Sequence, residues 1–404
     1  MNSKKKICIV SHSLRIDGVN RSLIGLLDSF DYTRYEVDLF LLLHEGEYLQ
    51  YIPEQVNLLP ENKKYSSIMI PAARVLQYGF LDILYTKWKV RKQADAFWKK
   101  EACKGQNTVY PLYLHKAMMK KLPPVSDKEY DLCLSFLPPH YIAAQKVRSK
   151  VRVGWIHNDY SVFDFDKKNE VEMWKACDYI ASISDDSSRS FIQSFPELSD
   201  RIIKIENILN PKTIRQQAAA FSVENEMVRK AGEFIICSVG RYMYQKNFDN
   251  VPAIAAELRK LGIRFKWYLI GFGNDKDIIH QKIKENKVED CVIDLGLKEN
   301  PYPFVAACDL YAQPSRFEGK SVSVREAQIL GKPVLITAFP TSASQLEDGL
   351  DGLIVPLDNA ACAKGIADLL ENNRLLDELS ENCKNRNYGN EEEIEKIYRL
   401  IDES

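Results

Sequence analysis

Two carboxylates, Glu318 and Glu326, stand eight residues apart in SRFEGKSVSVREAQILGKPV, the first ahead of an expected short helix and the second in its first turn. Upstream, GRYMYQKNFDN carries two cations: Gly240 ends an apolar run, Arg241 follows it directly, and Lys246 comes five residues later. A guanidinium grips phosphate oxygens in pairs and an ammonium adds a compact charge, so together at one strand end they suit a diphosphate, including one that departs as a leaving group. An acidic side chain just beyond a strand accepts hydrogen bonds from ribose hydroxyls in nucleotide-binding sheets, which suits Glu326. Ser323 with Glu326 also fits the S-x-x-E capping box, with Gly331 and Pro333 as stop signals, so capping and ribose binding compete for one carboxylate. Taken singly, Arg241 and Lys246 also read as ordinary surface cations.

Such residues need strands to carry them. Short β-branched or apolar runs alternate with helix-length segments: Ile7 to Val10, Val37 to Leu43, Leu132 to Leu137, Val151 to Ile156, Tyr179 to Ile183 and Ile202 to Ile205. After a polar stretch without a strand candidate, NPKTIRQQAAAFSVENEMVRKAGE, the alternation resumes with Phe234 to Val239, Phe265 to Ile270, Cys291 to Leu295, Leu310 to Ala312, Pro333 to Thr337 and Gly352 to Val355. This predicts two doubly wound parallel α/β units, with ligands bound beyond the carboxyl ends of the strands in a cleft between them. The expected divisions are 1–210, 211–389 and a closing helix over 390–404. That last helix is suggested by Asn390 and Glu393 in capping-box register and an Ile394, Ile397, Tyr398, Ile401 stripe.

A chain of 404 residues with 45% hydrophobic content can bury two cores, and a formal net charge of −1 gives no reason to expect nucleic acid as partner. Nine cysteines scattered singly, with no Cys-x-x-Cys pair, point to a reduced, cytoplasmic chain without a structural zinc site. No apolar run reaches the length of a membrane span.

An insertion over about 60–125 breaks the pattern. From Lys87 to Lys121 ten Lys or Arg face two acids, interleaved with Trp88, Phe97, Trp98, Tyr110 and Tyr113. This reads either as a solvated helical insertion or as a basic, aromatic surface for an anionic membrane.

The ordered motifs resemble the retaining glycosyltransferases of family 4, which have the GT-B fold of two Rossmann-like domains. GRYMYQKN is similar to that family's Gly-Arg…Lys diphosphate motif, LIGFG to its strand followed by Gly-x-Gly, and NPYPFVAACDLYAQPS to the segment before its paired glutamates. EGKSVSVREAQILGKPV is similar to its E-x7-E signature. The resemblance implies that Gly240, Arg241 and Lys246 bind the donor diphosphate, Glu326 the ribose and Glu318 the donor sugar. Gly271 belongs to the Gly-x-Gly, and Gly319, Lys320 and Ser321 lie near the helix start, where the backbone amides of Lys320 and Ser321 would assist the phosphates. The loop around Leu297 and Tyr302 would meet the base, uridine or guanosine. In the first half, His157 in VRVGWIHNDYS corresponds to a histidine that faces the transferred sugar. Gly18 in SLRIDGVNRSLIGLL stands where the family has two adjacent glycines, the first replaced here by Asp17. Asn207 in IIKIENILNP marks the hinge. The implied activity is metal-independent, hexosyltransferase-like transfer, with retention of configuration, from a nucleotide sugar to a hydroxyl of a glycan or lipid-linked acceptor. Cell-surface polysaccharide or glycolipid synthesis on the cytoplasmic face of a membrane would be its setting.

Rival readings include a catalytically silent nucleotide-sugar-binding or membrane-scaffold protein on the same fold, and a phosphorylase or epimerase. Asp164/Asp166 and Asp275/Asp277 match Asp-x-Asp, but with 27 Asp in 404 residues about two such matches are expected by chance. The chain lacks G-x-G-x-x-G after its first strand, and it lacks the local signatures of zinc proteases, serine hydrolases and P-loop enzymes.

Overall fold

The computed structural model describes residues 4–103, 106–158, 160, 163–318 and 321–403. The chain divides into two compact units, 1–208 with 390–404, and 209–389.

In the first unit the strands are β1 (Lys5–Ser11), β2 (Tyr35–Leu41), β3 (Asn57–Leu58), β4 (Gln106–Asn107), β5 (Glu129–Ser135), β6 (Arg148–Ile156), β7 (Phe163–Asp164), β8 (Tyr179–Ser182) and β9 (Ile202–Lys204). Among the described residues, seven form one parallel sheet in the order β3-β2-β1-β5-β6-β8-β9, and β4 pairs with β7. The reason is visible in β1, where Ile7, Cys8, Ile9 and Val10 are all buried. Ile7 and Ile9 join Leu132, Leu134, Val37 and Leu39 in one core, whereas Cys8 and Val10 join Cys133 and Phe40 in the other. A continuous apolar run thus supplies both faces of a sheet covered on both sides.

The second unit repeats the scheme with β10 (Phe234–Val239), β11 (Phe265–Ile270), β12 (Val292–Gly296), β13 (Leu310–Gln313), β14 (Val334–Thr337) and β15 (Leu353–Val355), ordered β12-β11-β10-β13-β14-β15. The strand order reverses beside β10, so the chain leaving β10 and the chain leaving β13 end side by side, the topological switch where ligands bind in such sheets. The polar stretch after Asn207 starts with a helix, Pro211–Ala218, whose Asn210 cap accepts from the amides of Lys212 and Thr213 and whose first residue is proline.

The described residues of 60–125 include the helices Lys63–Met69, Ala72–Gln77, Leu81–Lys100 and Val109–Met118. The long one buries Ile83, Thr86, Val90 and Ala94 at helical spacing. Lys87 turns inward, its Nζ donating to the Ser67 and Ile70 carbonyls at 2.9 and 2.6 Å, where it satisfies the end of the helix Lys63–Met69. Asp166 of the Asp164/Asp166 match to Asp-x-Asp is a helix cap, accepting from Asn169 N at 3.2 Å and from Tyr113 Oη at 2.6 Å. Among the described residues no helix is long and apolar enough to cross a membrane.

The final helix, Ile394–Asp402, completes the core of the first unit. Tyr398 stacks on Tyr35 with ring centroids 4.2 Å apart, and its hydroxyl accepts from Asp31 N at 2.7 Å. The capping box expected from Asn390 and Glu393 does not form. Glu393 instead accepts from Glu206 N at 2.8 Å and from Lys396, while Asn390 Nδ2 donates to the Asn207 carbonyl at 3.1 Å. Tertiary partners outcompete the local pattern.

One core carboxyl sets up a test. Glu170 is 5% exposed and accepts from Trp174 Nε1 at 3.1 Å; burial pushes its carboxyl up to about 7. A carboxyl whose folded value is raised contributes stability that is full below its unfolded value of 4.5 and is lost as pH rises through 7. Glu170→Gln keeps the acceptor without the charge, so its melting temperature should exceed that of the wild type at pH 8 and converge with it below about pH 5, as read by thermal melts across pH.

Candidate functional site

The second unit gathers its polar side chains beyond β10 and β13. A Cβ on Gly271 would collide with the Gly240 carbonyl oxygen, and one on Gly273 with the Tyr242 backbone. The Gly-x-Gly after β11 therefore lets two chain segments touch. Tyr242 locks this packing, its N donating to the Phe272 carbonyl at 2.7 Å and its Oη to Asp294 at 2.5 Å. The chain then makes a short turn, Tyr244–Lys246, ended by Asn247 in the left-handed region (φ 60°), a conformation asparagine tolerates.

That turn places Lys246 on Glu318. Lys246 Nζ lies 2.6 Å from Glu318 Oε1, with side-chain exposures of 15% and 6% that mark the pair as largely desolvated. Ser315 Oγ also donates to Glu318 Oε1 at 2.6 Å, and Gln245 Nε2 to Oε2 at 3.3 Å. Behind Ser315 lies a buried relay: Gln313 Nε2 donates to Ser315 Oγ at 3.0 Å, and Tyr311 Oη to Gln313 Oε1 at 2.9 Å. The carboxylate is thus held by three side chains from two strand ends.

Arg316 ties the two loops together. Its guanidinium donates to the Tyr244 carbonyl at 2.6 Å and to both Asp249 oxygens at 2.8 and 3.0 Å, and it lies 4.1 Å from the Tyr244 ring centroid. Its backbone N donates to the Gln245 carbonyl at 2.8 Å. Sequence reasoning missed Gln313, Ser315 and Arg316. The signal was present in YAQPSR, where polar side chains continue a buried strand and so must be hydrogen-bonded.

Arg241, one residue beyond Gly240, is exposed, and no hydrogen-bond or ion-pair partner holds it among the described residues. Its charge is uncommitted, next to a pair that is fully committed.

Glu326 is buried at 2% exposure in the helix Val322–Ile329 and accepts from Tyr302 Oη at 2.7 Å, so two of the expected nucleotide contacts meet each other. The capping box is absent here too: the cap position is Ser321, not Ser323, and Ser323 Oγ reaches Gln313 Oε1 at 3.4 Å. The Ser321 amide, expected to serve phosphate, donates to Gln345 Oε1 at 2.7 Å, because a buried N–H must be satisfied within the protein. Gly319 and Lys320 lie outside the described residues. Leu297, expected near the base with Tyr302, is exposed, whereas Tyr302 is buried.

Glu326→Gln still accepts from Tyr302 but presents a neutral amide to a ribose. UDP or GDP affinity is expected to fall about tenfold with the melting temperature unchanged, measurable by titration calorimetry beside thermal melts.

In the first unit Gly18 begins the helix Gly18–Asp28, capped by Asp17, which accepts from Asn20 N at 2.7 Å. Asp17, where the family pattern has glycine, thus serves as the helix cap, and a Cβ at Gly18 would meet nothing within 4 Å.

His157 follows β6 and has three companions that the sequence reading did not single out: His12 after β1, His140 after β5, and His115 on the helix Val109–Met118. The His12 and His115 rings are 5.7 Å apart, His157 lies 4.5 Å from Phe136, and His140 Nδ1 is 2.8 Å from Ser135 Oγ. Ring nitrogens of all four are buried without partners. Burial pushes His12 down to about 4 and His140 and His157 to about 3, and lowers His115 as well. Groups kept neutral in this way contribute stability above the unfolded value of 6.5 that is lost as pH falls toward 4, at up to about 1.4 kcal/mol per pH unit for each imidazole. Glu170 works in the opposite direction, but it is one group against four. Melting temperature should therefore drop steeply between pH 6.5 and 4 in thermal melts, and less steeply in His140→Gln.

Among the described residues no group of His, Cys, Asp or Glu could hold a metal ion. The arrangement in the second unit offers cations to an anionic ligand and an oriented carboxylate to hydroxyls.

The family model "Glycosyl transferases group 1" matches residues 223–387. The N-acetylgalactosamine-N,N'-diacetylbacillosaminyl-diphospho-undecaprenol 4-alpha-N-acetylgalactosaminyltransferase of Campylobacter jejuni is 28% identical over 216 residues, 53% of this chain and 56% of that protein. The chain spans about half the length of the curated relatives it matches. Anabaena HepE in complex with UDP and glucose has a similar fold, with a TM-score of 0.65 at 17% identity over 99% of this chain and 100% of that one. S. aureus TarM, in a complex with fondaparinux, alpha-GlcNAc-glycerol and UDP, gives 0.67 at 16% identity over 98% and 100%. Residues 223–387 thus resemble the glycosyl transferases group 1 family, and the two parallel α/β sheets of the chain have the GT-B fold.

Proposed function

We propose that the chain is a retaining glycosyltransferase. In this reading it moves a hexose-type sugar from a UDP- or GDP-linked donor to a hydroxyl of a glycan or lipid-linked acceptor, on the cytoplasmic face of a membrane. The observation that carries it is the Lys246–Glu318 pair, held at 2.6 Å beyond β10 and β13 next to the uncommitted Arg241. The Campylobacter relative, whose name specifies a diphospho-undecaprenol acceptor, and the UDP in HepE support the substrate classes.

The sugar's anomeric carbon exchanges its bond to the diphosphate oxygen for one to the acceptor oxygen on the same face. The acceptor's proton passes to the departing phosphate. Arg241 and Lys246 stabilise the negative charge that develops on the diphosphate, the part a metal ion would otherwise play. Glu318 accepts from sugar hydroxyls, oriented by Ser315 and Gln245, and Glu326 accepts from the ribose. His157, neutral at physiological pH, serves the sugar as a hydrogen-bonding group and not as a cation. Gly18, at the start of the helix Gly18–Asp28, would leave room for the donor, and Gly271 keeps the Gly240 backbone in place.

Incubation with a panel of UDP- and GDP-sugars, read by nucleotide release and by the anomeric signal of the product in NMR, tests the reading. Nucleoside diphosphate release with an α-linked product from an α-linked donor supports it. An isomerised nucleotide sugar, phosphate-dependent cleavage, or binding without turnover sinks it.

A further inference from the structure

The insertion carries an outward surface that the donor chemistry does not use. Along the helix Leu81–Lys100, the positions opposite Ile83, Val90 and Ala94 form a stripe of Leu81, Tyr85, Trp88, Lys92 and Lys99, spaced by four, three, four and seven residues. Leu81, Tyr85 and Trp88 are 65%, 61% and 54% exposed, large for apolar side chains, and Leu76 on the preceding helix is 56% exposed. The Tyr85 and Trp88 rings lie 5.8 Å apart, and Lys92 Nζ is 4.0 Å from the Trp88 ring centroid.

The charges on this helix are uneven. Its acids are engaged: Asp82 by Lys121 at 2.7 Å and Asp95 by Arg91 at 3.3 Å. Lys89, Lys92 and Lys99 have no carboxylate partner among the described residues. The aromatics that the sequence groups with this region behave differently, since Phe97, Trp98, Tyr110 and Tyr113 are not among the exposed apolar side chains, and Tyr113 is bonded to Asp166. Among the described residues of this helix, the large apolar side chains left exposed are Leu81, Tyr85 and Trp88.

We propose that this stripe docks on an anionic phospholipid surface, with Leu81, Tyr85 and Trp88 entering the headgroup boundary and Lys89, Lys92 and Lys99 meeting lipid phosphates. Interfacial aromatics beside uncompensated lysines match that environment, in which an indole is wetted on one side and apolar on the other and a lysine stem lies along apolar surface with its ammonium at the headgroups. A second copy of the chain fits poorly, because two such faces would bring like charges together. A chain whose overall charge is near zero has no global attraction to anions, so the attraction is local to this helix. The inference stands apart from the donor reading: it uses none of the residues beyond β10 and β13.

The full chain is sedimented at low salt with phosphatidylcholine vesicles, with or without phosphatidylglycerol, and Trp fluorescence is recorded. Expected are binding that requires the anionic lipid, a blue shift of Trp emission, and affinity lower by about tenfold or more in both Tyr85→Ser/Trp88→Ser and Lys89→Glu/Lys92→Glu/Lys99→Glu. Because these side chains are exposed, circular dichroism and nucleotide-sugar turnover without vesicles should match the wild type, which separates this result from a failure of the donor site. Absence of binding to anionic vesicles, equal binding by the variants, self-association that the variants abolish in place of lipid binding, or capture of RNA in preference to vesicles would each overturn the proposal.

Discussion

Arg241→Ala is expected to lower kcat by about 10²-fold or more with little change in melting temperature. The structural reason is the contrast at the end of β10. Arg241 is exposed and unpartnered among the described residues, so its removal leaves no buried group unsatisfied, and surface substitutions of this kind usually change stability by less than about 0.5 kcal/mol. Its worth to the protein then lies in what it meets when a donor is bound. Two readouts check this: steady-state turnover of the active nucleotide sugar, and a thermal melt. Arg241→Lys should fall between the wild type and alanine, because it keeps the charge but loses paired recognition of phosphate oxygens. Wild-type turnover in Arg241→Ala would end its assigned role.

The second large effect concerns the Lys246–Glu318 pair, through its non-additivity. Lys246→Ala and Glu318→Gln should each reduce turnover by about 10²-fold, and the double variant should be little worse than either, as expected for groups that act as a unit. Stability should behave differently. Lys246→Ala leaves the Glu318 carboxylate, 6% exposed, with only Ser315 and Gln245 as donors among the contacts described, and should cost about 3 kcal/mol. Adding Glu318→Gln removes the stranded charge and should restore much of that loss without restoring turnover. A double variant that regained both would make the pair structural only. Kinetics and denaturant melts on the four proteins of the cycle decide between these outcomes.

Much of this architecture is legible in the amino-acid sequence, and for a physical reason. Buried parallel strands need near-continuous apolar runs, so Phe234 to Val239 and Phe265 to Ile270 match β10 and β11 residue for residue. Short two-residue strands such as β3, β4 and β7 leave no such run and were not legible. The order of charged motifs was legible for the same kind of reason: a glycine at a strand tip followed by cations is a local pattern. The capping boxes show the limit. Ser323/Glu326 and Asn390/Glu393 both satisfy the local rule, yet Glu326 bonds Tyr302, 24 positions away, and Glu393 bonds Glu206 N, 187 positions away. Each local bond is worth about as much as its competitor, so burial decides between them.

By itself the sequence determined which residues could meet a diphosphate, the alternation that builds two sheets, and the basic, aromatic character of the insertion. Only the tertiary structure decided that Lys246 and Glu318 are one buried pair, that Gln313, Ser315 and Arg316 hold it, and that four histidines keep neutral rings in the first unit. It also turned Leu81, Tyr85 and Trp88 of the long helix outward while Ile83, Val90 and Ala94 face the core. The difference is one of range: periodicity and turn chemistry act between near neighbours, whereas ion pairing, burial and exposure depend on which distant segments the sheets bring side by side.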